Sequence, residues 1–162
     1  MFQSLARVSL CFFSGVLLET TSCLVTTTPG DSDGSSVTRD SIRVRFVNQS
    51  NWALDVQFYA TAETGDAETV LFLDANLVTA NIGLAGRGVI DAGQTDEIEL
   101  PCTNAQTIGT RGGEFLDSES GESAGTGEQR VLVLGEQYNC EETITLIYTA
   151  SDDTFDTSVL VD

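Results

Sequence analysis

The chain contains no histidine and no lysine, and its seven basic residues are all arginine. Histidine is the side chain best suited to proton transfer near neutral pH and the commonest metal ligand. Its absence removes Ser-His and Cys-His nucleophile pairs and every imidazole-based metal site. Without lysine there is no Schiff-base amine and no phosphate-loop ammonium. G-x-S-x-G occurs twice, at Gly30-Asp31-Ser32-Asp33-Gly34 and Gly121-Glu122-Ser123-Ala124-Gly125. Each lies in a polar Gly/Ser run rather than between an apolar strand and a helix, and no histidine exists to activate the serine. The nearest approach to G-x-G-x-x-G, Gly83 to Gly88, has no strand–helix–strand context around it. Positive charge is scarce altogether: 25 acidic residues against 7 basic ones leave a net −18. A surface of that sign repels the phosphate backbone, which excludes nucleic acid as a partner, and it disfavours anionic membrane surfaces.

Those absences leave catalysis little to work with, and the chain is not expected to be an enzyme. A carboxylate-pair hydrolase is the one chemical route left, but acidic residues are spread so generally that no pair stands out. Asp31-Ser32-Asp33-Gly34 has the opening of a calcium loop without the further oxygen ligands and closing Glu at fixed spacing that such a loop needs. No cofactor and no metal site is expected.

What the chain does have is alternation. In Ile42-Arg43-Val44-Arg45-Phe46 apolar and charged residues alternate strictly, and from Trp52 to Tyr59 the pattern resumes with Trp52, Leu54, Val56 and Phe58 on one face. A period of two is the signature of a half-buried strand. Asn48-Gln49-Ser50-Asn51 between them is a turn-forming cluster, so Ile42 to Ala60 reads as a β-hairpin. Arg43 and Arg45, on its outward face, are expected to pair with carboxylates across the sheet. Trp52 and Tyr59 are candidate ligand contacts. Trp52 starts an alternating strand and reads as core, whereas Tyr59, opposite Phe58, is the better placed for exposure.

Further strands are read at Thr69–Leu73, Val89–Ile90, Asp96–Leu100, Ala105–Thr110, Arg130–Leu134, Thr143–Thr149 and Phe155–Val161, with Pro101 marking a strand end or edge. Asp74 to Arg87 supports either a short helix or irregular strands. Asp117 to Glu128, an acidic Gly/Ser run, reads as a mobile loop. About eight strands with no long helical period point to an all-β fold, an antiparallel β-sandwich of immunoglobulin-like or jelly-roll type spanning residues 41–162.

The N-terminus reads as an address. Arg7 is followed by an apolar-leaning run, Val8 to Leu18, too short to span a bilayer but suited to a signal peptide over residues 1–22. The small residues ahead of Cys23 resemble the bacterial lipoprotein signal, in which the cysteine becomes the new N-terminus and is lipidated; Thr20-x-Ser22 also suits ordinary signal peptidase, cutting at the same bond. Residues 23–40, rich in Thr, Ser, Gly and Asp, read as a flexible tether. Cys11 would leave with the signal peptide. Cys102 and Cys140 remain, and an even pair in an exported domain reads as a disulfide.

Tyr138-Asn139-Cys140 leading into Ile144-Thr145-Leu146-Ile147, together with Val44 to Asn48 running into a polar turn, is similar to a group of small acidic exported bacterial lipoproteins. Those proteins carry a Tyr-x-Cys-Gly-x-x-Ile-Thr step before a penultimate strand; this chain has Glu141 at the glycine. The resemblance covers Ile42 to Asp162 and implies a fold and a location, with no activity attached. The expected protein is therefore exported and anchored to the bacterial cell envelope through lipid on Cys23. It would act there as a binding or structural module whose partner is an envelope protein or a glycan. A carbohydrate-binding or adhesion domain is the alternative.

Overall fold

A computed structural model describes residues 40–64, 67–78, 88–152 and 154–162. The expected signal peptide, the tether up to residue 39, Cys23 and the stretch 79–87 lie outside the described residues. Within them the chain forms β1 (Ser41–Asn48), β2 (Ala53–Asp55), β3 (Phe58–Thr61), a short helix α1 (Ala67–Leu71), β4 (Val89–Ile90), β5 (Thr95–Pro101), β6 (Thr107–Thr110), β7 (Glu114–Leu116), β8 (Ser123–Thr126), β9 (Arg130–Val133), β10 (Thr143–Ser151) and β11 (Thr154–Val161).

The all-β, sandwich-like fold is as expected. One layer has the order β11-β10-β1-β5. Its inward residues Ile42, Val44, Phe46, Ile144, Leu146 and Tyr148 are fully buried and share one core with Leu54, Val56, Phe58, Ile108 and Phe115 from the facing strands. Phe46 meets Phe58 edge-on across the interface, ring centroids 5.2 Å apart. Full burial of each such side chain contributes about 1.5–3 kcal/mol.

The facing layer consists of two ladders, β4-β2-β7-β8 and β3-β6-β9. They are halves of one creased sheet. β2 and β3 are separated only by Val56 and Gln57, β7 follows β6 after Arg111 to Gly113, and β9 follows β8 after Gly127 to Gln129. Each broken run keeps the same neighbours on both sides of the break. The crease thus divides three extended runs, so eleven strands arise where about eight were expected.

A crease interrupts ladder hydrogen bonds, and buried backbone groups freed in this way need other partners. Thr110 supplies two of them. Its hydroxyl donates to the Val56 carbonyl (3.3 Å), accepts from the Gly112 amide (3.0 Å), and accepts from the Tyr148 hydroxyl reaching over from the opposite layer (3.3 Å). Thr157 donates to the Gly112 carbonyl at 3.1 Å. Gly112 itself has φ +101, and a Cβ there would collide with the Gly127 carbonyl, so both conformation and contact require glycine.

Four sequence expectations need correction. Ile42 to Ala60 is not a hairpin: β1 pairs with β5 and, in parallel, with β10, while β2 pairs with β4 and β7 in the other layer. The polar cluster is a corner between layers. Buried Asn48 donates to the carbonyls of Trp52 (2.8 Å), Ile90 (3.1 Å) and Asp91 (3.2 Å), and its Oδ1 accepts from the Ser50 amide and hydroxyl. The second correction concerns Thr69–Leu73. It is not a strand; α1 covers that region, placing fully buried Leu71 against Gly109 on the outer face of β6.

The third concerns Asp117 to Glu128. Rather than a mobile loop throughout, it is a turn followed by β8. Asp117 Oδ1 accepts from the amides of Glu119 (3.0 Å) and Ser120 (2.7 Å), which holds its carboxyl below the usual range, and Gly125 lies under the Phe155 ring. Lastly, Asp40, assigned to the tether, is tied to the domain through its carbonyl, which accepts from the Cys102 amide at 2.8 Å.

Candidate functional site

Cys102 and Cys140 are bonded, with Cα atoms 6.0 Å apart, as the cysteine arithmetic expected. Cys102 opens a single 3-10 turn immediately after β5, and Cys140 precedes β10. β5 and β10 are the two neighbours of β1, so the bond closes across the start of that strand. The Glu141 amide donates to the Ser41 carbonyl at 2.7 Å beside it, and buried Tyr138 donates its hydroxyl to the Ala105 carbonyl. Burial pushes the Tyr138 phenol well above its ordinary value. Glu141 has φ +72, a conformation that glycine adopts without strain.

The arginines of β1 are paired as expected. Arg43 Nε and Arg45 Nη2 each lie 3.4 Å from Glu97, on the adjoining strand β5. Only the Arg45 pair is half-exposed, the Arg43 side chain being 13% accessible; exposed pairs of this kind contribute roughly 0–1 kcal/mol.

The two aromatic candidates are not brought together. Trp52 is half-buried and packs against the core. Tyr59, expected to be exposed, is only 4% accessible. Alternation placed it correctly on the outer face of β3, but that face is covered: Phe72, just beyond α1, meets the Tyr59 ring edge-on at 5.2 Å. Over both rings lies the Arg111 guanidinium, 5.3 Å from the Tyr59 centroid and 5.5 Å from Phe72, with Nη2 donating to the Phe72 carbonyl at 2.7 Å. A cation stacked on an aromatic face at an exposed site gains about 0.5–1 kcal/mol. The arrangement holds Arg111 in one orientation with part of its fork facing solvent.

On the β2–β7 side of the crease, Asp55 and Glu114 stand directly opposite each other in the register. Burial raises the Asp55 carboxyl above its ordinary value, the backbone amide of Gln57 pulls it back, and the Glu114 charge raises it further. Gln57 has φ +34, a strained value for a residue with a side chain. A perturbed carboxylate beside strained backbone is where a proton-transfer group would be sought. The chain offers it no lysine or histidine, and among the described residues both cysteines are held in the disulfide. Among the described residues no group of three or more His, Cys, Asp or Glu side chains is gathered to hold a metal.

Sequence reasoning missed both clusters. Arg111-Gly112-Gly113 after a strand was a visible signal for the first, since paired glycines allow a backbone to break and cross. The Asp55–Glu114 pair depends on strands more than fifty residues apart and has no local signal. The chain matches no protein-family model and no curated protein.

Proposed function

We propose that this is an exported protein, anchored to the bacterial cell envelope by lipid on Cys23, that serves there as a binding or structural module and not as a catalyst. The observation that carries the reading is the Cys102–Cys140 disulfide at the root of the first strand. Structural disulfides belong to oxidising compartments and are rare in the cytosol. The apolar run Val8–Leu18 followed by small residues and Cys23 supplies the route of export. A single acyl chain gives only marginal membrane binding, so stable anchoring needs two or more chains on the cysteine.

Support for a module without chemistry comes from the charge and composition of the chain, which has neither histidine nor lysine. The glycan reading rests less well on these residues, because Tyr59 lies beneath Phe72 and Arg111 and offers no ring face to a sugar. An envelope protein is the better-supported partner.

Expression of the full chain in a bacterial host, with metabolic labelling by an alkyne fatty acid, tests the anchor. The native chain should take up label and fractionate with membranes, while Cys23→Ala should lose both. An unlabelled, fully soluble native chain would refute the lipid anchor, and reduced Cys102 and Cys140 thiols in freshly isolated protein would refute export.

A further inference from the structure

The two outer edges of the β11-β10-β1-β5 sheet are built differently. β5 carries Asp96, Glu97 and Glu99 and ends in Pro101, the devices by which natural sheets discourage another strand from pairing. β11 is open over part of its length only. Towards its start the edge is closed within the chain: Arg130 Nε donates to the Thr157 carbonyl (2.7 Å), the Thr157 amide donates to Asp156 Oδ1 (2.7 Å), and Phe155 packs over Gly125. Beyond Thr157 nothing comparable guards it among the described residues. Ser158, Val159, Leu160 and Val161 carry no charge, and Leu160 (54% accessible) and Val161 (37%) are among the few large apolar residues left exposed.

The register defines which backbone groups this open stretch presents. Thr143 and Asp162 exchange both hydrogen bonds at the end of the β10–β11 ladder. Antiparallel ladders alternate, so Leu160 and Ser158 also turn their amides and carbonyls towards β10, while Val159 and Val161 turn theirs outward. Two presenting residues flank one exposed leucine. That arrangement is self-complementary under a two-fold axis.

We propose that β11 pairs antiparallel with β11 of a second copy of this chain, about a two-fold axis at Leu160, joining two sheets edge to edge. Val159 of each copy exchanges its amide and carbonyl bonds with Val161 of the other, and Leu160 faces its own twin as a non-bonded pair with Cα atoms about 4.5 Å apart. Thr157, already occupied by Arg130 and Asp156, ends the pairing on either side. A second copy is favoured over an unrelated extended segment for two reasons. The presented groups are symmetric about one residue, and although two chains of net −18 repel, the paired stretch Ser158–Val161 sets no charge against another, Asp162 falling opposite the uncharged Ser158 of the other copy. So short a pairing falls well below the ~1,200 Å² of a stable complex, so the association is weak and reversible.

The test uses the full-length chain in its host envelope, with single cysteines introduced at two positions. Leu160→Cys puts the new thiol opposite its twin, within the span a disulfide can bridge. Ser158→Cys puts it opposite residue 162 of the other copy, roughly 13 Å from its twin at ~3.3 Å per residue. Mild oxidation should trap a covalent dimer at least tenfold more with Leu160→Cys than with Ser158→Cys or the native chain. Leu160→Lys, which sets like charges against each other at an exposed position, should reduce the weight-average mass of the purified protein at high concentration to that of the monomer. Equal trapping at both positions, no trapping at Leu160→Cys, capture of a different protein instead of the twin, or a mass unmoved by Leu160→Lys would each overturn the proposal.

Discussion

Breaking the Cys102–Cys140 bond should loosen one strand before it loosens the domain. The bond ties the end of β5 to the approach of β10, and β1 lies between them. A sequence separation of 38 residues corresponds to about 4 kcal/mol in the chain-entropy treatment, acting on the unfolded ensemble. Against a typical total of about 5–15 kcal/mol that is a large share. For a domain of this size each kcal/mol moves the melting temperature by about 3–5 °C, so a drop of about 12–20 °C is expected. Thermal melts followed by circular dichroism would compare the native protein, the same protein after reduction, and Cys102→Ala/Cys140→Ala. Hydrogen exchange read by mass spectrometry would follow Ser41–Asn48 in parallel. Both perturbed forms should melt lower by similar amounts, and the β1 amides should exchange faster, relative to β10 and β11, than in the native protein. A drop below about 4 °C with unchanged relative exchange at β1 would refute the clasp, leaving the two ladders of β1 sufficient to hold it.

Three further outcomes follow from the geometry. Tyr148→Phe removes the hydroxyl that reaches Thr110 across the core but leaves Thr110 its bonds to Val56 and Gly112, so urea denaturation should show a loss of about 0.5–1.5 kcal/mol and no more. Asp55→Asn should stabilise the protein at pH 7 by about 0.2–1 kcal/mol, the scale of a like-charge cross-strand pair. A carboxyl raised in the folded state destabilises when ionised, and its protonation as pH falls through that raised value relieves the cost, so the advantage of Asp55→Asn should vanish in melts at pH 3. Glu141→Gly, at φ +72, should raise stability by about 0.5–1 kcal/mol; a loss in the same denaturation assay would mean that the Glu141 side chain contributes something its exposed position does not suggest.

How far the fold could be read in advance depended on whether the deciding contact was local. β1, β5, β10 and β11 were legible because one buried face imposes a period of two on the sequence itself. α1 was not, since Thr69 to Leu73 has strand propensity and becomes helical where Leu71 can cover Gly109, a contact nearly forty residues away. β8 escaped notice because Ser123–Thr126 has no large apolar residue; its packing is Phe155 resting on a glycine, and the hydrophobic half of that contact belongs to another strand. Tyr59 shows the same limit. Alternation gives the face of a strand and cannot say whether a second layer lies on it. At the candidate site the disulfide was legible from counting alone, whereas the Asp55–Glu114 pair and the stacked Arg111 exist only once the creased sheet has formed.

The parallel pairing of β1 with β10 also bears on when the protein can fold. β1 lies inside its sheet, and one of its two partners is about a hundred residues further along the chain. A strand that waits for so distant a neighbour makes closure of the sheet late and slow, since the entropy of a long loop must be lost before the contact forms. As the chain emerges during synthesis, its first strand can pair on one side only, and the layered core stays incomplete until Thr143 to Ser151 has appeared. On the export route proposed above such late closure is an advantage, because the parallel pairing that commits the chain to a compact form comes late, with only the β10–β11 ladder to follow it.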